Sequence, residues 1–121
     1  MRRGITQELL FNNLLQLYSP EFVKNEIEKH KKEIMKKGNC KEQEFDIIIS
    51  IIFSRITIVV EAEYIKYKTE TLEFVPDIND WPFLALAKHL TVPVWTYDSA
   101  ISKKQNRVTV VTTSELVMKF K

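Results

Sequence analysis

Apolar positions along this chain change their period repeatedly, and each change marks an element. Leu9, Leu10, Leu14 and Leu17 recur at helical spacing behind Thr6, which predicts a threonine-capped helix over residues 6–17. Ser19 followed by Pro20 is a second start signal, with serine as cap and proline in the first helical position, and predicts a helix running to about Lys37 and stopping at Gly38. A third helix is expected over residues 40–54, carrying Ile47, Ile48, Ile51 and Ile52 on one side. Residues 55–60 are mostly β-branched and predict a short buried strand, after which residues 61–74 form a charged helix.

Pro76 breaks that helix and opens the loop VPDIND, where Asp80 is placed to cap the helix WPFLALAKHL, apolar nearly all round. Residues 92–97 predict a strand ending at Asp98, and residues 107–111 another, followed by a Thr113 or Ser114 cap and a short terminal helix. Helices alternating with short apolar strands imply parallel pairing and an α/β fold.

Length and composition narrow the class. The 121 residues suffice for one packed core and are too few for two domains. The single cysteine, Cys40, can form no internal disulfide and no thiolate metal site, which fits a reducing, cytoplasmic location. Residues 1–10 are too broken for a signal peptide, and the most apolar run, residues 47–53, is too short to span a bilayer, so no membrane partner is expected. The net charge is +2, yet residues 24–41 hold seven lysines and few acids. A polyanionic partner is permitted by this balance, although the plainer reading of the lysine run, a solvated helix face, is preferred.

The acids decide between these readings. In an open parallel sheet ligands bind at the carboxyl ends of the strands, and Asp98 sits just past such an end. Asp77 and Asp80 lie three residues apart in a loop entering a buried helix, so both carboxylates fall near its N-terminus. Together these acids could hold a hard divalent cation such as magnesium, which activates water and neutralises charge as a phosphodiester is cut. Taken alone, Asp80 reads as a helix cap and Asp98 as a turn residue; the functional reading rests on the set.

The segments DWPFLALA at 80–87, VPVWTYD at 92–98 and VTVVTTSEL at 108–116 resemble the C-terminal half of a PIN domain, and YSPEFVKNEIEKH at 18–30 is similar to that family's second acidic helix. The resemblance covers nearly the whole chain. It implies a three-layer α/β domain with a short central parallel sheet flanked by helices, and a magnesium- or manganese-dependent ribonuclease of the kind often found as the toxin of a toxin–antitoxin pair. By that carry-over Glu26, Asp80 and Asp98 are the catalytic and metal-site acids, with Asp77 auxiliary. Thr96 resembles the family's small polar residue at the strand end, with a plain strand role equally open. RNA would be guided by Lys24, Lys31, Lys103, Lys104 and Arg107, and an antitoxin protein would be the partner.

The sequence departs from the family pattern at its start. Members normally begin with an apolar strand ending in an aspartate, and no such segment precedes Thr6. The expectation is therefore one PIN-like domain over residues 1–121 that is N-terminally incomplete and lacks the sheet's first strand. Three explanations stay open: Met1 is an internal methionine of a longer product, the chain is a degenerate inactive relative that binds RNA or protein, or two chains complete each other's sheet as a homodimer.

Other residues suggest less. His30 and His89 have no histidine or cysteine at ligand spacing, and Cys40 has no base beside it. Trp81 and Trp95 flank the acidic loop and the strand before Asp98, so one of them could stack on a base, with core packing the preferred role for both. A phosphate-accepting signalling domain also places acids at strand ends, but it needs a lysine beyond the last strand and acids after the first, and the chain offers neither clearly.

Overall fold

The computed structural model describes residues 8–96 and 104–120. Its elements are β1 (Leu17–Pro20), α1 (Glu21–Lys29), α2 (Lys31–Gly38), α3 (Glu42–Ser54), β2 (Ile56–Val59), α4 (Glu61–Tyr64), a 3-10 turn (Ile65–Tyr67), α5 (Lys68–Leu72), a second 3-10 turn (Ile78–Asp80), α6 (Trp81–Leu90), β3 (Val94–Thr96), β4 (Val110–Thr112) and α7 (Thr113–Phe120). The α/β class with parallel strands is as the sequence predicts. The strands form two separate pairs, β1 with β2 in the register Leu17 to Ile56 and β3 with β4 in the register Val94 to Val110. Among the described residues β1 and β3 each have a single strand neighbour.

Helix α6 joins the two pairs. Four consecutive residues, Leu84, Ala85, Leu86 and Ala87, are buried, which a helix achieves only when it is covered on opposite sides. Ala85 and Leu86 pack with Tyr64, Tyr18 and Val59 over the first pair, while Leu84 and Ala87 pack with Val108, Phe74 and Val94 over the second. The two alanines let backbone come close on either side. Lys88 pairs with Glu70 at 2.8 Å, tying the solvent edge of α6 to α5.

Several local expectations are corrected. The Ser19–Pro20 start signal misleads because residues 17–20 are a strand: Pro20 holds an extended ψ of 144° at the N-cap position, Ser19 Oγ donates to the Pro20 carbonyl, and nothing caps α1 by side chain. Proline ends β1 because it has no N–H to give to a ladder. The predicted helix to Lys37 breaks at His30 into α1 and α2, and the stop is Asn39 in the left-handed region (φ 50°), one residue after Gly38. Asparagine tolerates that conformation better than other non-glycine residues. The long first helix is confined, within the described residues, to 8–10; Thr6 lies outside them. The charged helix of residues 61–74 is interrupted by the 3-10 turn at Ile65–Tyr67.

In α3 the packed stripe is Phe45, Ile49, Ile52 and Phe53, spaced i, i+4, i+7, i+8. Ile47, Ile48 and Ile51, expected on the inner side, stand 60%, 49% and 47% exposed. A nearly continuous isoleucine run hides its own phase, and the two phenylalanines set it. The last strand starts later than expected because the Gln105 amide clamps Val108, donating to its carbonyl (3.0 Å) and accepting from its N–H (2.9 Å), so this part of the chain is satisfied without a ladder. The cap of α7 is Thr112 rather than Thr113 or Ser114: its Oγ1 accepts from the Glu115 N–H at 3.2 Å, and Glu115 Oε1 accepts from the Thr112 N–H at 3.1 Å. Thr113 is buried and accepts from Trp95 Nε1 at 2.8 Å, which gives Trp95 its structural role.

Thr91 ends α6 with φ 54°, a conformation costly for a β-branched residue. Thr91→Gly is expected to raise stability by about 0.5–1 kcal/mol, read as a shift of the urea midpoint at constant slope.

Candidate functional site

The loop between α5 and α6 organises the acids. Asp77 makes an Asx turn, its Oδ1 accepting from the Asn79 N–H at 3.0 Å, which starts the 3-10 turn Ile78–Asp80. Asp80 then occupies the N-cap position of α6, as predicted, but its side chain makes no capping hydrogen bond. The cause is local. Pro82 at the second helical position has no N–H, so one of the donors that a cap serves is absent. Asp80 is left half-buried with its carboxylate unused, and burial, then the charge of Asp77, push its pKa up.

Glu26 projects from α1 into an open cavity of about 640 Å³ that Asn79, Trp81 and Pro82 also line. The loop bearing Asp77 and Asp80 and the acidic helix thus share one cavity. Glu26 lies 3.4 Å from His30 Nε2, one turn along, and is half-exposed. Burial and Asp77 account for the shift at Asp80, and Glu26 is not among its causes. Asp77 and Asp80 lie in one short loop, and Glu26 lines the cavity that Asn79 of the same loop also lines. Among the described residues no three His, Cys, Asp or Glu side chains are grouped to hold a metal ion. Asp98, the remaining predicted acid, lies outside the described residues, as does Lys103.

The pair nevertheless suits a hard cation in kind. Two carboxylates close enough to repel offer oxygen donors, and a bound divalent ion would relieve the cost of keeping Asp80 ionised. Thr96 ends β3 opposite Thr112, on the strand that leads toward Asp98.

The predicted RNA-guiding cations differ in their surroundings. Lys31 pairs with Asp46 at 2.8 Å and Glu42 at 3.8 Å, holding α2 against α3, and that hydrogen-bonded pairing pushes its pKa up. Lys24 lies over the Phe53 ring and Arg107 over Phe74, while Lys104 is exposed. The sequence reading passed over Phe22, Lys68 and Asn79, which line the cavity with Glu26. Their common position could not be read from spacing, since they belong to three separate segments. His89 meets Glu63 at 3.8 Å and the Tyr67 ring, and so is satisfied. No described helix is long and apolar enough to cross a membrane.

A family model for the PIN domain matches residues 1–119, nearly the whole chain. The chain belongs to the PIN domain family. PIN domains are generally nucleases and typically use divalent metals. Comparisons with curated proteins and with solved structures gave no match. Within this PIN domain the acidic loop lies ahead of α6, the helix that joins the two strand pairs, so the most buried element also positions Asp80.

Proposed function

We propose that this PIN domain is an endoribonuclease dependent on magnesium or manganese, and that Asp80, Asp98 and Glu26, helped by Asp77, are its metal-site acids. The observation that carries the reading is Asp80: an aspartate at a cap position that caps nothing and is held against burial and a like charge. A bound ion would supply activation of water and neutralisation of phosphate charge. The chain's own part is to present carboxylate oxygens on a rigid helix start and to guide RNA by its lysines. Cytoplasmic action as the toxin of a toxin–antitoxin pair is the finer role we assign, with an antitoxin protein as partner. Among the described residues β1 and β3 each keep one open edge, which supports a homodimer, and a monomeric mass by sedimentation would count against it.

A second reading, a non-catalytic relative that binds RNA or protein, is favoured by the pairing of Glu26 with His30, which engages one of the proposed metal-site acids. RNA cleavage with manganese separates the two. The ribonuclease reading expects cleavage that is lost with EDTA and in Asp98→Asn; RNA left intact by the unaltered chain with manganese would favour the non-catalytic one.

A further inference from the structure

The cavity beside the acidic loop has features that metal chemistry does not use. Two aromatic rings, Phe22 and Trp81, contribute to its wall; Phe22 is fixed edge-on against Phe83, with centroids 5.4 Å apart, and buried Pro82 closes the same surface. Asn79 is exposed there, with an amide that both donates and accepts, and Glu26 only accepts. Lys68 reaches over the Trp81 ring, its Nζ 4.8 Å from the centroid. Leu72 and Ile78, 37% and 65% exposed, complete an apolar rim that water solvates poorly.

We propose that this cavity is a nucleobase subsite, taking one base of a single-stranded RNA next to the carboxylates of the loop. Flat aromatic walls with a few polar groups at the edge are what an unstacked base requires: a π-face to stack on and partners for its rim. Lys68 is a flexible cover that can leave the ring and meet the backbone phosphate of the same nucleotide, since a cation–π contact on a partly exposed ring is weak beside base stacking. The loop sets the spacing, because Asn79 immediately precedes Asp80 and Trp81 immediately follows it. A base held in the cavity thereby sits against the two residues that flank Asp80 in the chain. The subsite rests on the ribonuclease reading for its substrate class, but it is a binding property and needs no cleavage.

The test is titration of the chain, in EDTA, with a short single-stranded RNA carrying 2-aminopurine. Binding is expected to quench the 2-aminopurine emission, as stacking does. Asn79→Ala, which removes no buried packing, is expected to weaken binding about fivefold, and Trp81→Leu about tenfold or more. A thermal melt identifies a Trp81→Leu protein that has not folded, in which case Asn79→Ala decides. Unchanged affinity in Asn79→Ala, or binding without quenching, overturns the subsite. Failure of the unaltered chain to bind the RNA overturns it too. Manganese-dependent cleavage, measured separately, tells whether the ribonuclease reading falls with it.

Discussion

Asp80→Asn is expected to lower manganese-dependent RNA cleavage by about a hundredfold or more while leaving the folded state at least as stable as before. Substitution of an ordinary cap would do the reverse, costing stability and sparing activity. The asymmetry comes from how Asp80 is held. Its carboxylate makes no capping bond, and burial together with Asp77 disfavours its charge, so its folded pKa lies above the unfolded one. Well below the unfolded pKa the group is protonated in both states and contributes nothing to stability. As pH rises through the window between the unfolded and the raised folded value, ionisation is harder in the folded chain and stability falls. The amide of the Asp80→Asn protein carries no charge, so the variant's stability advantage should be absent at the acid end and full above that window. Cleavage should run in the opposite sense, rising with pH as the carboxylate becomes available, over a range shifted to lower pH because manganese favours the ionised form. Urea denaturation in EDTA at several pH values checks the first part and initial cleavage rates the second. A less stable Asp80→Asn protein at neutral pH would show that the side chain is structural after all.

The legible parts of this chain are those where one force dominates. Helix α6 could be read because its apolar residues are continuous, its start is marked by Asp80 and Pro82, and no competing pattern overlaps it. Strands β2 and β3 could be read from β-branched runs. The failures occur where two signals coincide. Ser19–Pro20 looks like a helix start, yet Pro20 is the final strand residue, and only pairing with Val59 distinguishes the cases. The phase of α3 is hidden because Ile47 to Ile52 would suit either side, and the choice falls to Phe45 and Phe53, the larger groups. The division at His30 has no proline or glycine to announce it.

The same distinction applies to the site. Asp77 and Asp80 were legible because they are neighbours in sequence and their loop is short. The cavity was not, since Phe22, Glu26, Lys68 and Asn79 meet only through the packing of α1, α5 and the acidic loop. Of the two tryptophans, treated alike in the sequence, Trp95 spends its N–H on buried Thr113 whereas Trp81 both packs on Tyr64 and faces the cavity. Nothing in the local sequence separates them, because the difference lies in which partner each indole N–H and ring can reach.

Leu84→Ala is expected to cost about 3 kcal/mol of stability, a large part of what a chain of this size possesses. Leu84 is fully buried and packs with Ala87 and Val108 over the second strand pair. Ala87, Val108 and Val94 beside it are too short to refill the space it leaves, so the residual cavity adds to the lost burial. The consequence reaches beyond that cluster. Helix α6 contacts both strand pairs, which among the described residues share no ladder hydrogen bond with each other, so loosening it on one side weakens what links the two. Two outcomes are distinguishable by urea denaturation. If α6 couples the pairs tightly, Leu84→Ala unfolds in one transition at a lower midpoint with an unchanged slope. If the coupling is weak, the slope falls and probes on each side diverge, Trp95 emission reporting the β3–β4 pair before Trp81 emission reports the other. Tight coupling is expected, because four successive buried residues of one helix cannot lose cover on one side and keep their register on the other.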